Sequence, residues 1–258
     1  LMMMLNNTNS LIRIYSRMVS CSFVAMTCAA TFLFSSLESC ATGMCFILFY
    51  LSLLRSYQDK RAPGIAFYSF ACLGIASLFF VQILYFVPFL WILMASNMMA
   101  LTHRMFWATV LGLVMPYWFA VGYYVVTNQF DAFIDHFAEL AQFEPLLQYE
   151  ALDIHRIATF GLVVLLAVIG IIHYMRNSYQ DKIRTRMIFE MFITVDILSF
   201  VFIILQPQHF DNLLPIIIVN TSCLFAHYVA LTRTWLTNVT FIVMCLATLG
   251  LTIFNLMP

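Results

Sequence analysis

Charged side chains are scarce in this sequence. Lys, Arg, Asp and Glu make up 9% of its 258 residues, against roughly 25% in a soluble domain. So few charges cannot coat a water-facing surface, which excludes an ordinary soluble fold. Net charge is lacking too: twelve basic residues cancel twelve acidic ones, so no bulk attraction to nucleic acid is implied. The sequence has no phosphate-cradling glycine loop, nucleophile elbow or paired-carboxylate motif. The histidines His103, His136, His155, His173, His209 and His227 show no metal spacing, and the seven cysteines form no Cys-x-x-Cys pair. An odd cysteine count argues against a full disulfide framework. No cofactor or metal is therefore expected.

What is present is apolar. Hydrophobic residues make up 63% of the chain, and the mean hydropathy is +0.93. Disordered chains are poor in such residues. The apolar runs are long rather than alternating, which points to an all-α polytopic transmembrane helix bundle. With about 20 residues needed per crossing, nine spans are expected: 15–36, 40–54, 64–81, 83–101, 105–127, 156–175, 188–206, 213–232 and 235–257. No charge interrupts Pro63 to Thr102, too long a run for one span, so it is divided near Gln82.

The basic residues orient these spans. With the N-terminus in the cytoplasm, Arg13, Arg17, Arg55, Lys60, Arg61, Arg104, Arg176, Lys182, Arg184, Arg186 and Arg233 all fall inside, and Arg156 alone falls outside. That is a positive-inside pattern, and nine crossings then put the C-terminus outside. Leu37-Glu38-Ser39-Cys40 loosely resembles a lipoprotein cleavage site, but Glu38 fits it badly. A retained hairpin is the preferred reading of the first 39 residues. The chain opens on Leu1 rather than Met, so its true start is left open.

Self-similarity is the most informative signal. Ser56-Tyr57-Gln58-Asp59-Lys60 recurs unchanged as Ser178-Tyr179-Gln180-Asp181-Lys182. The match runs on without a gap: Phe67 with Phe189, Phe70 with Phe192, Ile75 with Ile197, Ser77 with Ser199. Two spans later Ala100-Leu101-Thr102 meets Ala230-Leu231-Thr232, and a proline begins the span before each, Pro88 and Pro215. A five-residue polar identity is hard to obtain by chance in so apolar a chain. The expected organisation is a leading span over 1–39, a four-span repeat over 40–127, an outer amphipathic helix and loop over 128–155, and a second four-span repeat over 156–258. An even number of spans per repeat makes this a parallel duplication, with a groove at the repeat interface as its functional corollary.

Two sets of polar residues stand out. Tyr57, Gln58, Asp59 and Lys60, with Tyr179, Gln180, Asp181 and Lys182, form paired cytoplasmic loops. They serve as headgroup-level anchors or dock a partner or a phosphate-bearing headgroup. Inside the membrane Asp196 is the leading candidate, about 12 Å past Ile188 along its helix. An ionised carboxylate there is costly unless paired, so intramembrane acids default to a functional hypothesis. His227 is its expected partner, with Asn220, Thr221 and Ser222 adding hydrogen-bonding groups. The first repeat has Gly74 at the position of Asp196, so any such site is asymmetric. A structural clasp worth about 1 kcal/mol is the rival reading.

The outer loop carries Phe130, Phe133, Phe137, Leu140, Phe143 and Leu147 at helical spacing, with Asp131, Asp135 and Glu139 off that stripe. An amphipathic helix is expected, floating on the outer surface rather than lidding a site. Gly74-Ile75-Ala76-Ser77-Leu78-Phe79 through Phe89-Leu90-Trp91 resembles an uncharacterised family of polytopic inner-membrane proteins from the Bacteroidota. So does Arg104 followed by Leu111-Gly112-Leu113-Val114-Met115-Pro116-Tyr117. The resemblance covers roughly residues 50–125. It implies a bacterial cell-envelope setting and brings no catalytic residues.

Three functions are thus open. One is a non-enzymatic transport-like subunit centred on Asp196 and His227. Another is a scaffold that binds membrane lipids and a membrane-protein partner. The third is an intramembrane enzyme acting on a lipid-linked substrate through Asp135, His136, Glu139, His155, Arg156 and His209.

Overall fold

The computed structural model describes residues 1–142, 152–232 and 234–256. Phe143, Leu147 and Arg233, invoked above, lie outside them. Among the described residues the regular structure is all helical, with no strand. Its helices are α1 Met2–Asn9, α2 Met18–Ala29, α3 Leu37–Leu53, α4 Pro63–Phe79, α5 Val87–Ser96, α6 His103–Val126, α7 Phe130–Ala141, α8 Ile154–Asn177, α9 Ile183–Leu205, α10 Phe210–Leu231 and α11 Trp235–Leu256. Two compact units form: Leu1–Cys40 with Leu147–Pro258, and Ala41–Leu146.

Among the described residues, six helical stretches are long and apolar enough to cross a bilayer: Leu37–Ser56, His103–Val126, Ile154–Gln180, Ile183–Leu205, Pro207–Leu231 and Trp235–Leu256. This fits a multi-pass membrane protein. The other three expected spans fall on shorter apolar helices, and the reasons are local. Helix α2 stops at Ala29 because the Asn255 side chain donates to the Ala29 carbonyl at 2.7 Å, and a 3-10 turn over Thr31–Ser35 follows. The long run from Pro63 is broken by a 3-10 turn over Val81–Phe86, around Gln82. Helix α1 was not expected at all; it ends on Ser10 in a left-handed conformation (φ 51).

In the unit Ala41–Leu146, α4 and α6 pack along their length. Glycine makes this possible. A Cβ on Gly112 would collide with the backbone carbonyl of Phe67, and one on Gly74 would stand 2.6 Å from the carbonyl oxygen of Leu113. Close backbone approach through small residues is how helices associate when lipid removes any hydrophobic drive between them. Gly112→Ala is therefore expected to cost about 2 kcal/mol or more through overpacking. Gly122→Ala, which meets nothing within 4 Å, is expected to be neutral or stabilising. Thermal unfolding of the two variants checks the contrast.

Helix α7 lies on this same unit. Phe133 and Phe137 stack against Tyr117 at 6.5 and 5.1 Å between centroids, and Phe133 meets Tyr124 at 5.9 Å. His136 Nε2 bonds the Ser77 carbonyl at 3.0 Å, and the Tyr85 hydroxyl donates to the Leu140 carbonyl. Phe133, Phe137 and Leu140 are thus partly covered by this unit, while Phe130 stays exposed.

In the unit Leu1–Cys40 with Leu147–Pro258, α10 is the hub, packed by α2, α8 and α9. The most apolar stretch of Pro207–Leu231 is 83% buried, against 6% for Trp235–Leu256. Gly170 lets α8 approach α10, where a Cβ would lie 2.9 Å from Leu224. A polar residue on α10 therefore faces protein almost wherever it points, whereas the face of α11 is left for lipid.

Candidate functional site

Every expected intramembrane residue is buried: Asp196, Asn220, Thr221, Ser222 and His227 are all 0% exposed. Asp196 lies near the middle of α9, thirteen residues or about 20 Å from its start at Ile183. This is deeper than expected, because α9 begins five residues before Ile188. The Thr221 hydroxyl donates to Asp196 Oδ2 at 3.1 Å. Asp196 Oδ1 has no hydrogen-bond partner among the described residues. Half of this carboxyl is therefore unsatisfied where a buried polar atom is costly.

His227 is not the partner of Asp196, contrary to expectation. Six residues of α10, about 9 Å, separate it from Thr221. Its ring turns instead to the loop before α9, where Nε2 donates to Asp181 Oδ2 at 2.9 Å. Both side chains are 0% exposed. An ionised carboxylate is acceptor-only, so the proton of His227 sits on Nε2. Arg13 completes the group: its Nε lies 2.9 Å from Asp181 Oδ1, an ionic contact rather than an aligned hydrogen bond. The remaining guanidinium nitrogens hold Gln180, through its side-chain oxygen at 3.2 Å and its carbonyl at 3.4 Å.

Rings wall the pair in. Phe189, His173 and Tyr174 stand 4.9, 5.5 and 5.7 Å from the His227 ring. His173 Nε2 donates to the Thr232 hydroxyl at 3.1 Å, which itself donates to the Tyr228 carbonyl. Both His173 and His227 keep Nδ1 without a partner among the described residues. The arrangement is a carboxylate bonded to one histidine, with an arginine outside and a second histidine in ring contact only. A buried carboxylate–histidine pair can hold a proton.

The two Ser-Tyr-Gln-Asp-Lys segments thus do different work. Asp181 is drawn inward. Asp59 stays exposed, and its Oδ1 accepts from the backbone N–H of Arg61 at 2.8 Å. Gln58 adopts a left-handed backbone (φ 57) and donates its N–H to the Met98 carbonyl at 2.9 Å. Tyr57 is half-buried, while Lys60, Tyr179, Gln180 and Lys182 are exposed. Identical residues diverge because Arg13 and the histidine on α10 exist only beside the second segment. Sequence reading treated Arg13 as a topological charge. Nothing local could have linked it to a loop 167 residues away.

Within the unit Leu1–Cys40 with Leu147–Pro258, the outer residues His155, Arg156 and His209 each bond other groups. His155 Nδ1 bonds Asn255 Oδ1 at 3.1 Å. Arg156 forms a fork with Asp211, Nε to Oδ1 and Nη2 to Oδ2 both at 2.9 Å, and also reaches Asp153 at 2.6 Å. His209 contacts Gln208 at 3.2 Å. Asp135, His136 and Glu139 belong to the other unit. All seven cysteines are free, and no cluster able to hold a metal occurs among the described residues. Compared with known proteins, the chain matches no family model, no curated protein and no solved structure.

Proposed function

We propose that this chain is a multi-pass carrier of a bacterial inner membrane that moves a solute by coupling it to protons. One observation carries the reading: a fully buried acid, Asp196, sits at mid-helix on the hub pair α9–α10 with one oxygen unsatisfied. Transporters place substrate and coupling-ion groups near the bilayer midplane, and intramembrane acids mark such pathways. The buried Asp181–His227 pair toward one end of the same helices offers a second place to hold a proton. An enzyme on a lipid-linked substrate has less support, since His155 and Arg156 are already tied to Asn255 and Asp211.

Nine crossings with the N-terminus inside and the C-terminus outside belong to this proposal. Helix α2 plus its 3-10 turn reaches about 28 Å, α4 about 26 Å, and the Val81–Phe86 turn plus α5 about 27 Å, close to a hydrocarbon core of about 30 Å. The inner-membrane setting rests on the family resemblance of residues 50–125. The duplication is supported by element order. Each half runs helix, 3-10 turn at the repeated motif, helix, 3-10 turn, helix, helix. In each half the motif also bonds a residue at or just past the second helix after it, Gln58 at Met98 and Asp181 at His227. The packing differs between halves, α4 on α6 in one and α10 as hub in the other, so the likeness is of topology.

The test uses liposomes holding the purified protein, an inward proton gradient and a pooled small-molecule extract of bacterial cells. Mass spectrometry of the vesicle contents is expected to show at least one solute enriched over protein-free vesicles, with the enrichment lost when the gradient is collapsed. Equal contents with and without protein would sink the carrier reading. A copurified protein of discrete mass in native mass spectrometry would instead favour a scaffold.

A further inference from the structure

The first turn of α9 has the wrong charges for a helix start. Lys182 stands at its N-cap, Arg184 and Arg186 follow, and no acidic residue lies in the turn. A helix N-terminus carries about half a positive charge, which favours anions and disfavours cations. No side chain caps this end either. The neighbouring acid, Asp181, is turned away toward Arg13 and His227.

This turn opens on a cleft of about 670 Å3, lined by Asn7, Ser10, Arg13, Tyr15, Lys182 and Thr185 among others. The far wall is preorganised. Asn6 staples the segment after α1, accepting from the N–H of Ile12 at 3.3 Å and donating to the Ser16 carbonyl at 3.0 Å. Arg184 donates to Asn9 Oδ1 at 3.0 Å, tying α1 to α9. Within the cleft Thr185 is only 4% exposed, and its hydroxyl has no hydrogen-bond partner among the described residues. Lys182 is exposed and forms no ion pair among them. A nearly buried threonine whose hydroxyl bonds no described residue, an exposed ammonium and a cation-loaded helix start converge on one space.

We infer that this cleft binds a phosphate-bearing anion. Lys182 would neutralise it, the Thr185 hydroxyl would donate to it, and the first amides of α9 would face a negative charge, as helix N-termini do at phosphate sites. Lysine serves phosphate as a point charge without needing fixed geometry. Asn7 and Ser10 offer further donors from the opposite wall. The occupant is either an anionic lipid headgroup or a soluble phosphate; the chemistry recognised is the same. The inference does not depend on the carrier proposal, because neither Asp196 nor His227 lines the cleft.

The protein in detergent is titrated calorimetrically, at fixed ionic strength, with inorganic phosphate, dihexanoyl phosphatidic acid and dihexanoyl phosphatidylcholine. Phosphatidic acid is expected to bind one to one and phosphatidylcholine not to bind. Lys182→Gln and Thr185→Val are each expected to weaken binding at least about tenfold, while Thr185→Ser retains it. Inorganic phosphate that binds and displaces the lipid would assign the site to soluble phosphates; lipid binding that phosphate does not displace would assign it to a headgroup. Thermal unfolding verifies that the variants fold, and Lys182→Gln changes only an exposed side chain. Equal binding by wild type and both variants, or no binding by wild type, overturns the inference.

Discussion

Asp196→Asn is expected to abolish gradient-driven uptake in liposomes while leaving thermal stability within about 1 kcal/mol of wild type. The two effects separate because the two carboxyl oxygens do different things. Oδ2 accepts from Thr221, and an asparagine carbonyl can still accept there. Oδ1 has no partner to lose. What the amide cannot do is take up and release a proton, so only the coupled step should fail. A simple clasp between α9 and α10 makes the opposite prediction: lost stability on Asp196→Ala and unchanged uptake from either variant. Uptake by Asp196→Asn equal to wild type would remove Asp196 from the mechanism.

The other large effect lies in the repeated motif. Asp181→Ala is expected to destabilise the protein by roughly 3 kcal/mol, and Asp59→Ala by less than about 0.5 kcal/mol, although the flanking residues are the same. Removing Asp181 leaves a fully buried imidazole without its acceptor and Arg13 without its counter-charge. The cost sits at the low end of the range for broken buried pairs because the Arg13 side chain is 36% exposed and water can recover part of it. Asp59 loses only a hydrogen bond to the Arg61 backbone in an exposed loop. Asp181→Asn should fall between the two, keeping an acceptor for His227 and losing the charge. Thermal unfolding of the three variants in one detergent decides the matter. Equal losses at 59 and 181 would show that the buried pair contributes nothing beyond a loop contact.

The candidate site was half legible beforehand. Asp196 announces itself, since an acid inside an apolar run is conspicuous whatever it touches. Thr221 was legible as a polar neighbour on the next helix. The partner of His227 was not, because a helix offers each side chain several neighbours, and only packing chooses between a carboxyl in mid-span and one in a loop. The phenylalanine spacing foretold a helix, and one runs over Phe130–Ala141. Periodicity says that a face is apolar but not what it meets, and only packing brings Phe133 and Phe137 to Tyr117 and Tyr124.

Composition alone determined the class of this protein. With charge at 9% and hydrophobic residues at 63%, backbone polar groups must be satisfied internally, and helices are the economical way to do so within one chain. The repeated motif and the odd acid at Asp196 were equally visible, being local facts of order and residue type. Tertiary structure decided which copy of the motif became a buried site. The leading segment brings Arg13 to Asp181, α10 brings His227 to it from 46 residues downstream, and Asp59 meets neither. A sequence repeat can duplicate residues, but their electrostatic surroundings come from distant segments, which are brought together only when the chain packs.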